Sequence, residues 1–109
     1  MIVKDGVSYF GFFDEMPYGV TTDLFDDFKK YVQVNTIDKN KVVQHIESLS
    51  FAATSAPTSD MFSGERLQAG IYEDEKFRFP VDFLHYYKKY DIGIPAEYEE
   101  YLLDKADFS

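Results

Sequence analysis

The chain contains no cysteine. No disulfide framework or thiolate site can be built from it, and metal ligation would rest on Asp, Glu and only two His. Zinc is thereby disfavoured. Positive charge is scarce as well: eleven Lys and Arg stand against twenty Asp and Glu, leaving a formal charge of −9. Such a surface repels phosphate backbones and anionic lipid, so neither direct nucleic-acid binding nor membrane binding is expected. No segment approaches the apolar length of a membrane span. The stretch MIVKDGVSYF also lacks a basic region followed by a long apolar run, which makes the cytoplasm the expected location. Around Gly64 and Gly70 the paired glycines and the following Lys-Ser/Thr of a phosphate loop are missing, so a nucleotide site has no support.

What the chain does have is apolar and aromatic bulk. Its 109 residues are 45% apolar, with eleven Phe and nine Tyr, a composition that disordered chains do not show. That length holds one core and is too short for two, so residues 1–109 are expected to form a single domain.

Ile2 and Val3, then Lys4-Asp5-Gly6, then residues 7–13 read as an opening β-hairpin, because Asp-Gly tolerates the positive φ of a tight turn. Pro17 and Gly19 make residues 14–19 a loop. Thr22 is placed to cap a helix whose Leu24, Phe25, Phe28, Tyr31 and Val32 share one face, with Asp23, Asp26 and Asp27 in its first turns. Asp38 caps a second helix through Leu49, striped by Val42, Val43 and Ile46. Leu49, Phe51 and Ala53 then alternate as a short strand, with a helix extension as the alternative. Residues 55–64 form a surface loop of small, turn-forming side chains, the candidate for the most mobile segment.

A second hairpin follows, its apolar face drawn from Leu67, Ala69, Ile71, Phe77 and Phe79, its tip made by Glu73, Asp74 and Glu75. Those three acids must be solvated or meet positive charge. Pro80 opens a third helix with Phe83, Leu84, Tyr87 and Tyr90 inward; Gly93 and Pro95 separate it from a last helix with Tyr98, Tyr101 and Leu102 inward and Glu97, Glu100 and Asp104 outward. The expected class is α+β: a largely antiparallel sheet from two hairpins, packed with about four helices.

No catalytic, cofactor-binding or metal residue is assigned. Asp23, Asp26 and Asp27 on one helix cannot converge as Mg or Ca ligands, and Glu73, Asp74 and Glu75 lack the alternation and turn glycine of a calcium loop. His45 reads as a boundary residue and His85 as exposed beside Lys88 and Lys89, without the neighbours of a triad, although triads assemble in space rather than in sequence. Tyr72 and Tyr86 fall off the apolar stripes and are the tyrosines best suited to partner contact.

The carboxy-terminal half, with Ser63-Gly64-Glu65, residues 67–74, residues 77–87 and above all residues 91–102 (DIGIPAEYEEYL), resembles small bacterial immunity proteins of contact-dependent growth inhibition and related polymorphic toxin systems. That resemblance implies a cytoplasmic antitoxin that binds one cognate toxin domain, often a nuclease, and blocks it stoichiometrically. A basic toxin would complement the acidic charge, and Asp60, Glu65, Tyr72, Glu73, Asp74 and Glu75 are the expected partner-binding residues, with Glu97, Glu99, Glu100 and Asp104 as the rival surface. Two other readings stand beside it: a small enzyme whose carboxylates and His converge only in the fold, and an acidic adaptor domain.

Overall fold

A computed structural model describes residues 1–13, 22–53 and 58–105. The loop expected at residues 14–19 lies outside the described residues, as do residues 55–57 of the second expected loop.

The first hairpin joins β1 (Ile2–Lys4) to β2 (Val7–Tyr9), with Lys4 opposite Val7. Both turn residues, Asp5 at φ 54° and Gly6 at φ 78°, take the left-handed conformation that Asp-Gly supplies. Two helices follow, α1 (Phe25–Val34) and α2 (Lys39–Glu47), then β3 (Phe51–Ala53). A small ladder pairs β4 (Thr58–Ser59) with β5 (Arg66–Leu67). The second hairpin is β6 (Gly70–Asp74) and β7 (Phe77–Pro80), and the chain continues into α3 (Val81–Lys89) and α4 (Ala96–Leu103).

The main sheet runs in the order β1-β2-β7-β6-β3. Both hairpins are antiparallel and β3 adds antiparallel to β6, but the hairpins join through a parallel pairing of β2 with β7, Ser8 opposite Phe77 and Tyr9 opposite Arg78. The α+β expectation stands, with that one parallel seam added. The Cα radius of gyration is 13.2 Å, against about 13 Å for a single folded unit of this size. One core serves the described residues.

That core is aromatic. Phe10 is fully buried and lies 4.9 Å from Phe79, 5.1 Å from Tyr98 and 5.4 Å from Phe83, ring centre to ring centre. Each such ring contributes about 1.5 to 3 kcal/mol by leaving water. Phe28 of α1 and Phe13 meet at 5.1 Å and bring the first helix onto the same cluster.

Asp38 caps α2 through the N–H of Asn40, as its position suggests. Thr22 does not cap α1: Leu24 holds the N-cap position without a side-chain bond. The Thr22 hydroxyl instead accepts the Phe12 N–H and donates to Asp23. Asp23 precedes the helix and ties down the chain start, accepting from the Met1 amine and from the Gly11 N–H at 3.0 Å.

The apolar phase of β6 is opposite to the alternation read from Leu67, Ala69 and Ile71. Gly70, Tyr72 and Asp74 face inward while Glu73 is exposed and Ile71 half-buried. Ala69 and Gly70 are both buried, so the inward phase slips by one residue where β6 begins.

Candidate functional site

The loop between β4 and β5 closes around one carboxylate. Asp60 is 2% exposed and accepts the backbone N–H groups of Phe62 at 2.7 Å and Ser63 at 3.0 Å, the local turn that an Asp side chain favours. From α3 and its end come the Tyr90 hydroxyl, 2.9 Å from Oδ2, and His85 Nε2 at 2.7 Å. The neighbouring Tyr86 hydroxyl accepts the Met61 N–H at 2.8 Å. Burial by itself raises the Asp60 carboxyl, but the bonds from His85, Phe62, Ser63 and Tyr90 outweigh it and hold the group well below the usual carboxylate range. The loop is thus stitched onto α3.

A second cluster repeats the chemistry at the tip of the β6–β7 hairpin. Asp74 accepts from His45 Nε2 at 2.8 Å, from the Tyr98 hydroxyl at 2.7 Å and from the Tyr101 hydroxyl at 2.7 Å. Burial again acts upward on this carboxyl and the bonds from His45, Tyr101 and Tyr98 act downward and prevail. Two helices, α2 through His45 and α4 through both tyrosines, would lose their common anchor on the hairpin without it.

These contacts correct the expected partner surface. Asp60, Asp74 and Glu99 are buried, at 2%, 4% and 8% exposure, because each satisfies donors that would otherwise be stranded indoors. Glu99 accepts the backbone N–H groups of Thr36 and Ile37 at 2.7 and 3.1 Å, filling the gap between α1 and α2. Tyr72 and Tyr86 are core residues, since β6 turns Tyr72 inward and the β4–β5 loop covers the side of α3 that bears Tyr86. His85 is half-buried rather than free in solvent, held by Asp60.

A His–Asp pair is part of an acid–base device only if the second ring nitrogen faces a substrate or nucleophile. At His85 that nitrogen, Nδ1, lies 3.7 Å from Glu65 Oε2, so carboxylates flank both sides of the ring. Among the described residues, His85 hydrogen-bonds to no hydroxyl, although a cavity of about 440 Å³ opens beside it, lined by Tyr72, Leu84 and Lys88 among others. No group of three or more His, Asp or Glu among the described residues is arranged to hold a metal ion.

The exposed acids differ in what they already touch. Glu65 lies 3.9 Å from Lys89 Nζ and Glu73 3.7 Å from Arg78 Nε, while Glu75 lies beside the Tyr101 hydroxyl and, after burial, helps to raise its pKa. On α4, Glu97, Glu100 and Asp104 are exposed, and among the described residues no ion pair reaches them. They rim a groove of about 600 Å³ whose other walls include Val3, Ser8, Lys76, Phe77 and Tyr101. The two surfaces treated as rivals from sequence therefore meet at Tyr101.

Fold and surface together define a small α+β domain with two internal His–Asp anchors and an unneutralised acidic helix face. No protein-family model, curated protein or solved structure matches the chain. Among the described residues no helix is long and apolar enough to cross a membrane.

Proposed function

We propose that this chain is an immunity protein that acts in the cytoplasm, binding a cognate basic toxin domain, an RNase or DNase, and neutralising it in a stoichiometric complex. The observation that carries this reading is the row Glu97, Glu100 and Asp104, two carboxylates of α4 and the one that caps it, which make no ion pair among the described residues and stand beside a groove. A nuclease must attract polyphosphate and so presents positive charge, which an acidic inhibitor can use for fast and selective encounter. Burial of Asp60, Asp74 and Tyr72 favours α4 over the hairpin tip as the contact surface, with exposed Glu73 and Glu75 at its margin. The test is titration of this protein into purified nuclease toxin domains from the native host. Loss of nuclease activity reaching completion near one equivalent is expected; undiminished cleavage at excess protein would end the proposal.

A second reading rests on the His85–Asp60 pair beside its cavity, a carboxylate–imidazole site formed only in the fold. It requires turnover by the isolated protein that disappears in His85→Ala. An adaptor domain would show neither turnover nor inhibition.

A further inference from the structure

We propose that the groove beside α4 seats a basic amphipathic helix of the partner, laid alongside α4 on the end of the sheet that none of the described helices covers. The proposal rests on the immunity reading for the partner's identity, and on geometry for the shape of the contact.

The helix layer stops short of the sheet edge. Phe77 of β7 packs under α4, 5.0 Å from Tyr98 and 5.2 Å from Tyr101, and Phe79 packs against Phe83 of α3 at 5.9 Å. Moving outward from Phe77, the directly opposed residues are Ser8 and then Val3. Opposed residues share a sheet face, so Val3 points to the same side as the buried Phe77, yet it is 63% exposed. Ser8 between them is buried, so the open part of the groove floor is Val3 on β1, beyond the strands that carry a helix.

Its wall is the α4 acid row. Positions 97, 100 and 104 follow the three-and-four spacing that puts side chains on one helix face, and they span about 10 Å along the axis. Two cations lie close by without an ion pair to the row: Lys105 is 4.6 Å from the Tyr101 ring centre, and Lys76, itself a wall of the groove, is 5.9 Å from that of Phe77. A helix packs against a neighbouring helix at about 8–10 Å, so one lying on Val3 brings a side stripe opposite the carboxylates. Its apolar stripe meets Val3 and its Lys or Arg residues meet Glu97, Glu100 and Asp104, which is helix-in-groove recognition with charge fixing the register. A strand added to the outer edge of β1 would leave that row unmet.

The test uses the full chain and a synthetic acetylated peptide of roughly 15 residues, long enough to form helix on docking, with Leu at three-and-four spacing and Lys in an adjacent stripe. A control peptide has the same composition with Lys and Leu spread around the helix. Calorimetry is expected to show at least about tenfold tighter binding of the striped peptide, with amide NMR shifts at Val3, Ser8 and Tyr101. Val3→Asp and the combined Glu97→Lys, Glu100→Lys variant should each lose that preference. Equal affinity for both peptides, or shifts confined to the outer edge of β1 or to another face, would overturn the proposal. If the Lys variant still neutralised a toxin domain with unchanged affinity, the groove would fall and the immunity reading would stand. If the striped peptide bound as described and no toxin domain were inhibited, the groove would stand and the immunity reading would fall.

Discussion

His85 Nε2 lies 2.7 Å from Asp60 Oδ2, a contact that spans 25 residues and pins the β4–β5 loop onto α3. Because Asp60 also serves two loop N–H groups and the Tyr90 hydroxyl, its loss strands several donors at once. Asp60→Ala should cost about 3 kcal/mol, the upper scale for leaving buried donors without their acceptor. Asp60→Asn should cost less, since its amide oxygen still accepts the loop N–H groups. Urea unfolding measures both, and a midpoint unmoved in Asp60→Ala would show that the loop is held by other means.

Acid should unfold the protein through the same carboxylates. Burial pushes Asp60 and Asp74 upward, but their hydrogen bonds prevail and both sit below their ordinary range in the folded chain. A depressed folded pKa adds stability that is complete above the unfolded value of about 4 and is lost as pH falls through the folded one. Melting temperature should therefore hold on the neutral side and drop below about pH 4. The deficit of Asp74→Asn relative to the parent should shrink over that same acid range; a deficit independent of pH would contradict the linkage.

Alkali acts on the opposite group of residues. Burial pushes Tyr86 up to about 12 and also raises Tyr87, Tyr98 and Tyr101. Raised values stabilise the fold below the unfolded tyrosine pKa of about 10, and that contribution is lost as pH climbs through the folded values. Tyrosinate absorbance should rise in two stages, the second coinciding with loss of far-ultraviolet circular dichroism. A single early rise with structure intact would mean the buried hydroxyls titrate freely.

Much of this architecture was legible from local pattern. Phe25 with Phe28, and Val42 with Ile46, mark buried helix stripes; Asp5-Gly6 marks a hairpin; Pro80 and Pro95 stand at helix starts. The parallel seam of β2 with β7 was not legible, because it joins residues some 70 positions apart with no local signal. The site was harder still. Asp60 reads as surface, being part of a loop of small, turn-forming residues, and the reversed phase of β6 puts Tyr72 and Asp74 there too. The outward row Glu97, Glu100 and Asp104 was readable because α4 keeps one simple periodicity, whereas Glu99 faces a gap made by two other helices.

Gly93 tests how closely that connection is fitted. A Cβ there would fall 2.3 Å from Asn35 Oδ1 and 2.8 Å from the Tyr31 backbone carbon, where α1 ends. The same residue donates its N–H to the Phe28 carbonyl at 2.9 Å, and Asn35 bonds both the N–H and the carbonyl of Ile94. Since backbone cannot yield as a side-chain tip can, Gly93→Ala should cost about 3 kcal/mol through overpacking. A near-neutral result in thermal unfolding would show that α1 can draw back from the α3–α4 link.

Charge reversal on the two acidic patches should separate a located encounter surface from a general effect of net charge. Glu97→Lys with Glu100→Lys converts unpaired rim carboxylates, and the association rate with a neutralised toxin domain should fall about tenfold at low salt, with a flatter salt dependence. Glu65→Lys with Glu73→Lys changes the net charge equally, but those carboxylates already lie near Lys89 and Arg78. Their reversal should slow association less. Stopped-flow mixing over a range of salt distinguishes the cases: equal slowing would leave only the overall charge at work, and greater slowing by the second pair would move the encounter to the hairpin tip.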